Sequence, residues 1–93
     1  MTRRAVLLRL QNNIKLRRLR ARDVAGALRC AEDMLLLAPD YAALWREAGL
    51  MHQRLDQIGA ALQCLERSLA VAPDADDAAR TRVMIAELRT RLN

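Results

Sequence analysis

The chain predicts an all-α fold, a helical solenoid of two antiparallel helix pairs followed by a C-terminal capping helix. The first observation is an internal repeat. Ala25–Asp40 (AGALRCAEDMLLLAPD) set above Gly59–Asp74 (GAALQCLERSLAVAPD) shows eight identities in sixteen positions at a spacing of thirty-four residues. A fixed period of this size marks an array in which each unit buries its apolar face on its neighbour. The second is composition. The 93 residues are 53% apolar but include no Phe, one Trp and one Tyr. A core of Leu, Ala, Val, Ile and Met suits close-packed helices better than a pleated sheet. The third is punctuation. Both copies of the repeat close on Ala-Pro-Asp, which stops a helix. Linkers are short throughout, so successive helices must be antiparallel neighbours. One domain is expected over residues 1–93, with a first unit at 8–41, a second at 42–75 and the capping helix at 76–93.

The elements follow in order. A first helix is predicted from about Arg4 to Arg20, with Leu7, Leu10 and Ile14 on an apolar stripe. Its start is poorly signalled, because Thr2 has no acidic or amide residue three positions on. The second helix opens at Asp23, an N-cap residue, and ends before Pro39. Asp40 is expected to cap the third, which carries Leu44, Ala48, Met51 and Leu55. The fourth begins around Asp56–Gly59 and ends before Pro73. Asp76 or Asp77 opens the fifth, which holds Val83, Ile85, Ala86, Leu88 and Leu92. Glu87 and Arg91 are spaced as a supporting i,i+4 pair on its exposed side.

Several function classes are excluded. Cys30 and Cys64 stand one repeat apart, without metal or redox spacing, and read as small buried apolar side chains. His52 is the single histidine, so no His-based metal site or Cys–His nucleophile is assembled. There is no nucleophile–base pair, metal cluster or Gly-rich phosphate loop, so neither catalysis nor a cofactor is expected. Arg3 and Arg4 precede only Val6–Leu8 before Arg9 interrupts, too short for a secretion signal, and no run has transmembrane length. A cytoplasmic protein is expected.

Charge is unevenly spread. Residues 1–22 carry eight cations and no acid, and the remainder eight cations against eleven acids, so the two parts stand at +8 and −3. A basic end of this kind meets nucleic acid, an anionic membrane or an acidic protein surface. Nucleic acid is disfavoured because no aromatic residue is interleaved for base stacking. A membrane surface is disfavoured because the first helix lacks Trp or Phe anchors.

With these residues in place the chain resembles the tetratricopeptide repeat. The second unit carries Trp45, Gly49, Ala61, Leu65 and Pro73 where that pattern expects Trp, Gly, Ala, an aromatic or large apolar residue, and Pro. The first unit matches in its second helix (Ala27, Leu28, Leu35, Pro39). It departs in its first, where Gln11 replaces the Trp, Lys15 the small residue and Arg18 the aromatic. A narrower resemblance rests on LRLQNNIKLRRL, MLLLAPD and the final RLN. These resemble the C-terminal tail of a bacterial family that joins a transglutaminase-like domain to such repeats. That resemblance implies an upstream papain-like site to which neither Cys30 nor Cys64 contributes.

In tetratricopeptide arrays the first helix of each unit lines a concave groove. The thirty-four-residue register implies three rows along it: Asn12, Arg46, Arg80; Leu16, Leu50, Met84; and Arg20, Arg54, Leu88. An apolar strip flanked by cations suits an acidic peptide with apolar anchors, or an acidic helix. The function so implied is a non-catalytic protein–protein interaction module. The alternatives are docking to an upstream domain of the same protein or to a second copy. The Lys/Asn pattern that clamps a C-terminal carboxylate in chaperone-binding members is not reproduced. Because about three units are needed for a stable stack, self-association or support from an adjoining domain is expected.

Overall fold

The computed structural model describes residues 1–92. They form five helices: α1 (Arg3–Arg20), α2 (Val24–Leu37), α3 (Ala42–Arg54), α4 (Ile58–Val71) and α5 (Ala78–Leu92). Each packs on the next in chain order, α1 on α2 through α4 on α5. The Cα extents of 43 × 30 × 19 Å correspond to roughly two helix layers. The all-α, two-pair architecture expected from the repeat is therefore present, and no strand occurs among the described residues.

The two hairpins turn in the same way. Arg22 and Asp56, thirty-four residues apart, are the non-glycine residues with positive φ among the described residues, at 62° and 60°. Each is followed by a backbone N–H that reaches back five residues, Asp23 to Arg18 O at 2.8 Å and Gln57 to His52 O at 2.9 Å. This is the Schellman arrangement, in which a left-handed residue lets the chain bond the last free carbonyls and reverse. The stops also repeat. α2 ends with Ala38 and α4 with Ala72 at the C-cap, each just before its proline.

The starts match expectation in part. Thr2 does cap α1, its hydroxyl accepting from Ala5 N at 3.1 Å, because a lone Thr suffices without a reciprocal acid. Asp23 caps α2 as expected, accepting from Gly26 N at 2.9 Å. Asp40 does not cap α3. The Ala38–Tyr41 turn delays that helix by one residue and leaves Tyr41 at the N-cap without a side-chain bond. Gln57 holds the equivalent position before α4, also without one. Asp77 directly precedes α5, but its carboxylate is drawn to Arg46, 2.7 Å away.

Two apolar clusters form the core. Ala27, Leu28, Ala31, Met34 and Leu35 of α2 meet Leu44, Ala48 and Met51 of α3, while Ala61, Leu62 and Leu65 of α4 meet Ile85 and Leu88 of α5. Gly49 brings α3 onto α4. A Cβ added there would lie 2.9 Å from Leu65 Cδ2 and 3.2 Å from Ala61 O. Buried Ser68 ties the same pair together by donating to Ala42 O at 2.9 Å. On α5 the buried face is Ala78, Thr81, Ile85 and Leu88. Val83, Ala86 and Leu92 are exposed, since only one side of the last helix meets a neighbour. Arg91 pairs with Asp56 at 3.4 Å rather than with Glu87.

The irregular first unit solves its packing with charge. Lys15, at the position of Gly49, is only 3% exposed and its Nζ lies 2.6 Å from Glu47 Oε1 on α3. Leu8 and Leu19 flank it against the first cluster. The expected stripe of Leu7, Leu10 and Ile14 stays on the surface instead, 41%, 52% and 37% exposed.

Candidate functional site

The first-helix face is built by α1, α3 and α5, and the register rows fall on it unequally. Leu16, Arg20, Arg54 and Arg80 are exposed, while Asn12, Leu50 and Met84 are half-buried. Leu50 and Arg54 share a depression of about 160 Å³ with Leu19, Glu47 and Met51, next to the Lys15–Glu47 bridge. Two residues of the rows serve elsewhere. Leu88 is 2% exposed inside the α4–α5 cluster and is removed from the candidate groove. Its equivalents Arg20 and Arg54 end their helices near solvent, whereas the buried face of α5 runs on through Leu88. Arg46 is three-quarters buried beside Asp77. Its Nε is off the line of a hydrogen bond, so the contact is an ion pair bracing α3 against the start of α5. Arg20, Arg54 and Arg80 have no carboxylate partner among the described residues.

A second concavity lies between α2 and α4, with α3 as its floor. It encloses about 420 Å³ and is lined by Leu35, Leu36, Trp45, Ala48 and Cys64, with Glu32 and His52 among the polar residues. Trp45 is held by donation from its indole N–H to Pro39 O at 2.8 Å, and the Arg67 guanidinium lies 5.8 Å from its ring centroid. Cys64 is half-buried here rather than sealed in the core. Desolvation, then the charge of Glu32, push its thiol above the ordinary range, which disfavours the thiolate. The sequence reading missed this recess. Its signal was Leu36, which is 83% exposed at a position where the second unit has Ala70.

A third surface is the outer side of α1, where Ile14, Arg17, Arg18, Ala21 and Asp23 border an open cleft of about 440 Å³. Arg18 donates to Asp23 at 2.8 Å, and its Cδ occupies the space a Gly26 Cβ would need. The Asp23 carboxyl is lowered below its usual range, first by the Gly26 N–H and then by Arg18. Among the described residues no group of three or more His, Cys, Asp and Glu side chains could hold a metal ion, and no helix is long and apolar enough to cross a membrane.

The family model of the tetratricopeptide repeat matches residues 14–86. No curated protein matches the chain.

Proposed function

The chain belongs to the tetratricopeptide repeat family, and on that premise we propose that its first-helix face docks an acidic, partly apolar segment of a partner protein. Tetratricopeptide repeats are generally protein–protein interaction modules, and the reading here is of a non-catalytic one. The observation that carries it is the state of the arginines. Arg20, Arg54 and Arg80 are exposed without a carboxylate partner among the described residues, while Leu16, Leu50 and Met84 lie between them. Charges in such a setting set orientation and encounter rate, and the apolar strip supplies affinity.

The test uses a labelled short peptide of alternating Glu and Leu. Arg54→Glu combined with Arg80→Glu should weaken its binding at least tenfold and leave the circular dichroism spectrum intact. Arg46 is left alone because its replacement would break the ion pair to Asp77. Equal binding by the variant and the parent would rule the groove out.

A further inference from the structure

The outer face of α1 is the register equivalent of a face that α3 buries. Leu10, Ile14, Arg17 and Ala21 stand thirty-four residues before Leu44, Ala48, Met51 and Leu55. On α3 the first three of those are 1%, 1% and 4% exposed, packed against α2. On α1 no element of the described residues covers the corresponding strip, and Leu10 and Ile14 are 52% and 37% exposed. Leu7, Leu10 and Ile14 keep the 3–4 spacing of a helix–helix seam. A contiguous apolar strip of this kind on a soluble fold marks a contact surface.

We infer that this face is a second docking site, and that its occupant is an acidic amphipathic helix of a partner protein, laid on α1 as α2 is laid on α3. Two observations select that chemistry. Where α3 has Met51, α1 has Arg17, so a cation stands in the middle of the seam and asks for a carboxylate opposite. Around it the first twenty-two residues carry eight cations and no acid, and the ion pairs within the described residues engage only Lys15 and Arg18. The same charge argues against a second copy. Pairing α1 with α1 would juxtapose two cationic strips, and the exposed side of α5 carries Arg80, Arg82, Arg89 and Arg91 against Glu87. A lipid surface is disfavoured by the absence of any aromatic residue from α1. The site is separate from the proposed groove. Leu16 and Arg20 project from a different side of α1, since the two sets of positions lie roughly 110° apart at 3.6 residues per turn.

The experiment titrates the protein into a labelled helical peptide of about three heptads, with Leu at the seam positions and Glu beside them. A scrambled peptide of the same composition serves as the control. Binding of the periodic peptide should exceed that of the scrambled one at least tenfold. It should fall at least tenfold in Leu10→Asn with Ile14→Asn, both exposed positions that leave the fold intact, and it should lose much of its salt dependence in Arg17→Met. The Arg54→Glu, Arg80→Glu variant should bind as the parent does; loss of binding there would place the peptide on the first-helix face and sink the inference. Equal binding of the scrambled peptide, or indifference to the seam substitutions, would also overturn it. So would two other results: capture of phosphatidylserine-containing vesicles in place of the peptide, or a dimer in sedimentation that the seam substitutions dissolve.

Discussion

Replacing Gly49 with Ala sets two magnitudes against each other. In the interior of a helix the added methyl favours the folded state by about 0.8–1 kcal/mol through propensity alone. Its Cβ would lie 2.9 Å from both Cγ and Cδ2 of Leu65 and 3.2 Å from the carbonyl oxygen of Ala61. Leu65 is 0% exposed and cannot swing aside, and a backbone carbonyl inside α4 cannot yield without separating the helices. Overpacking of this kind costs about 1–3 kcal/mol, more where backbone must move. The clash wins, and a net loss of about 1–2 kcal/mol is expected, which lowers the midpoint of a domain this size by about 4–15 °C. Thermal unfolding followed by circular dichroism, repeated in urea, measures it. Gly59→Ala is the internal control, because nothing lies within 4 Å of a Cβ there. It should be neutral or gain up to about 1 kcal/mol. If Gly49→Ala melts at or above the parent while Gly59→Ala behaves as stated, α3 and α4 are not in this close approach and the packing argument fails.

Three further outcomes are expected. Glu47→Ala should destabilise by about 1–3 kcal/mol, because it strands the buried ammonium of Lys15, whereas Lys15→Met should cost little, since the half-exposed Glu47 rehydrates; urea midpoints that reverse this order would refute the bridge. Arg22→Gly should stabilise by about 1 kcal/mol, relieving a left-handed conformation that a side chain resists; a lower midpoint would mean the Arg22 side chain has a role beyond the turn. The lowered Asp23 carboxyl gives a pH signature. Its contribution is present above its unfolded value near about 3.9 and lost as pH falls through the lower folded value. The stability gap between the parent and Asp23→Ala should therefore be constant from neutral pH down to mildly acid conditions and close below that; a gap unchanged in strong acid would exclude the ionised cap.

The fold was legible because the repeated residues are the ones that touch. Ala27 and Ala61 are both 0% exposed, and Pro39 and Pro73 follow equivalent helix ends. Identity at a thirty-four-residue spacing therefore reported shared surroundings. The first helix was less legible. Its leucines occur on several sides, so periodicity marked a stripe without saying what lay against it. The burial of Lys15 depends on a carboxylate thirty-two positions later, on another helix. Leu88 shows the same limit from the other direction, since its register mates Arg20 and Arg54 are polar and only the α4–α5 contact encloses it.

From the order of residues alone come the five helices and their stops, set by contacts within a few positions or by spacing along one helix, the paired hairpins, marked by the thirty-four-residue repeat, and the lopsided charge, which is composition. Tertiary structure alone decided which arginine is spent on Asp77, which apolar strip is left uncovered on α1, and where α2, α3 and α4 part to leave a recess. Those depend on what stands opposite each face, and a helix carries its own periodicity but no information about its neighbour.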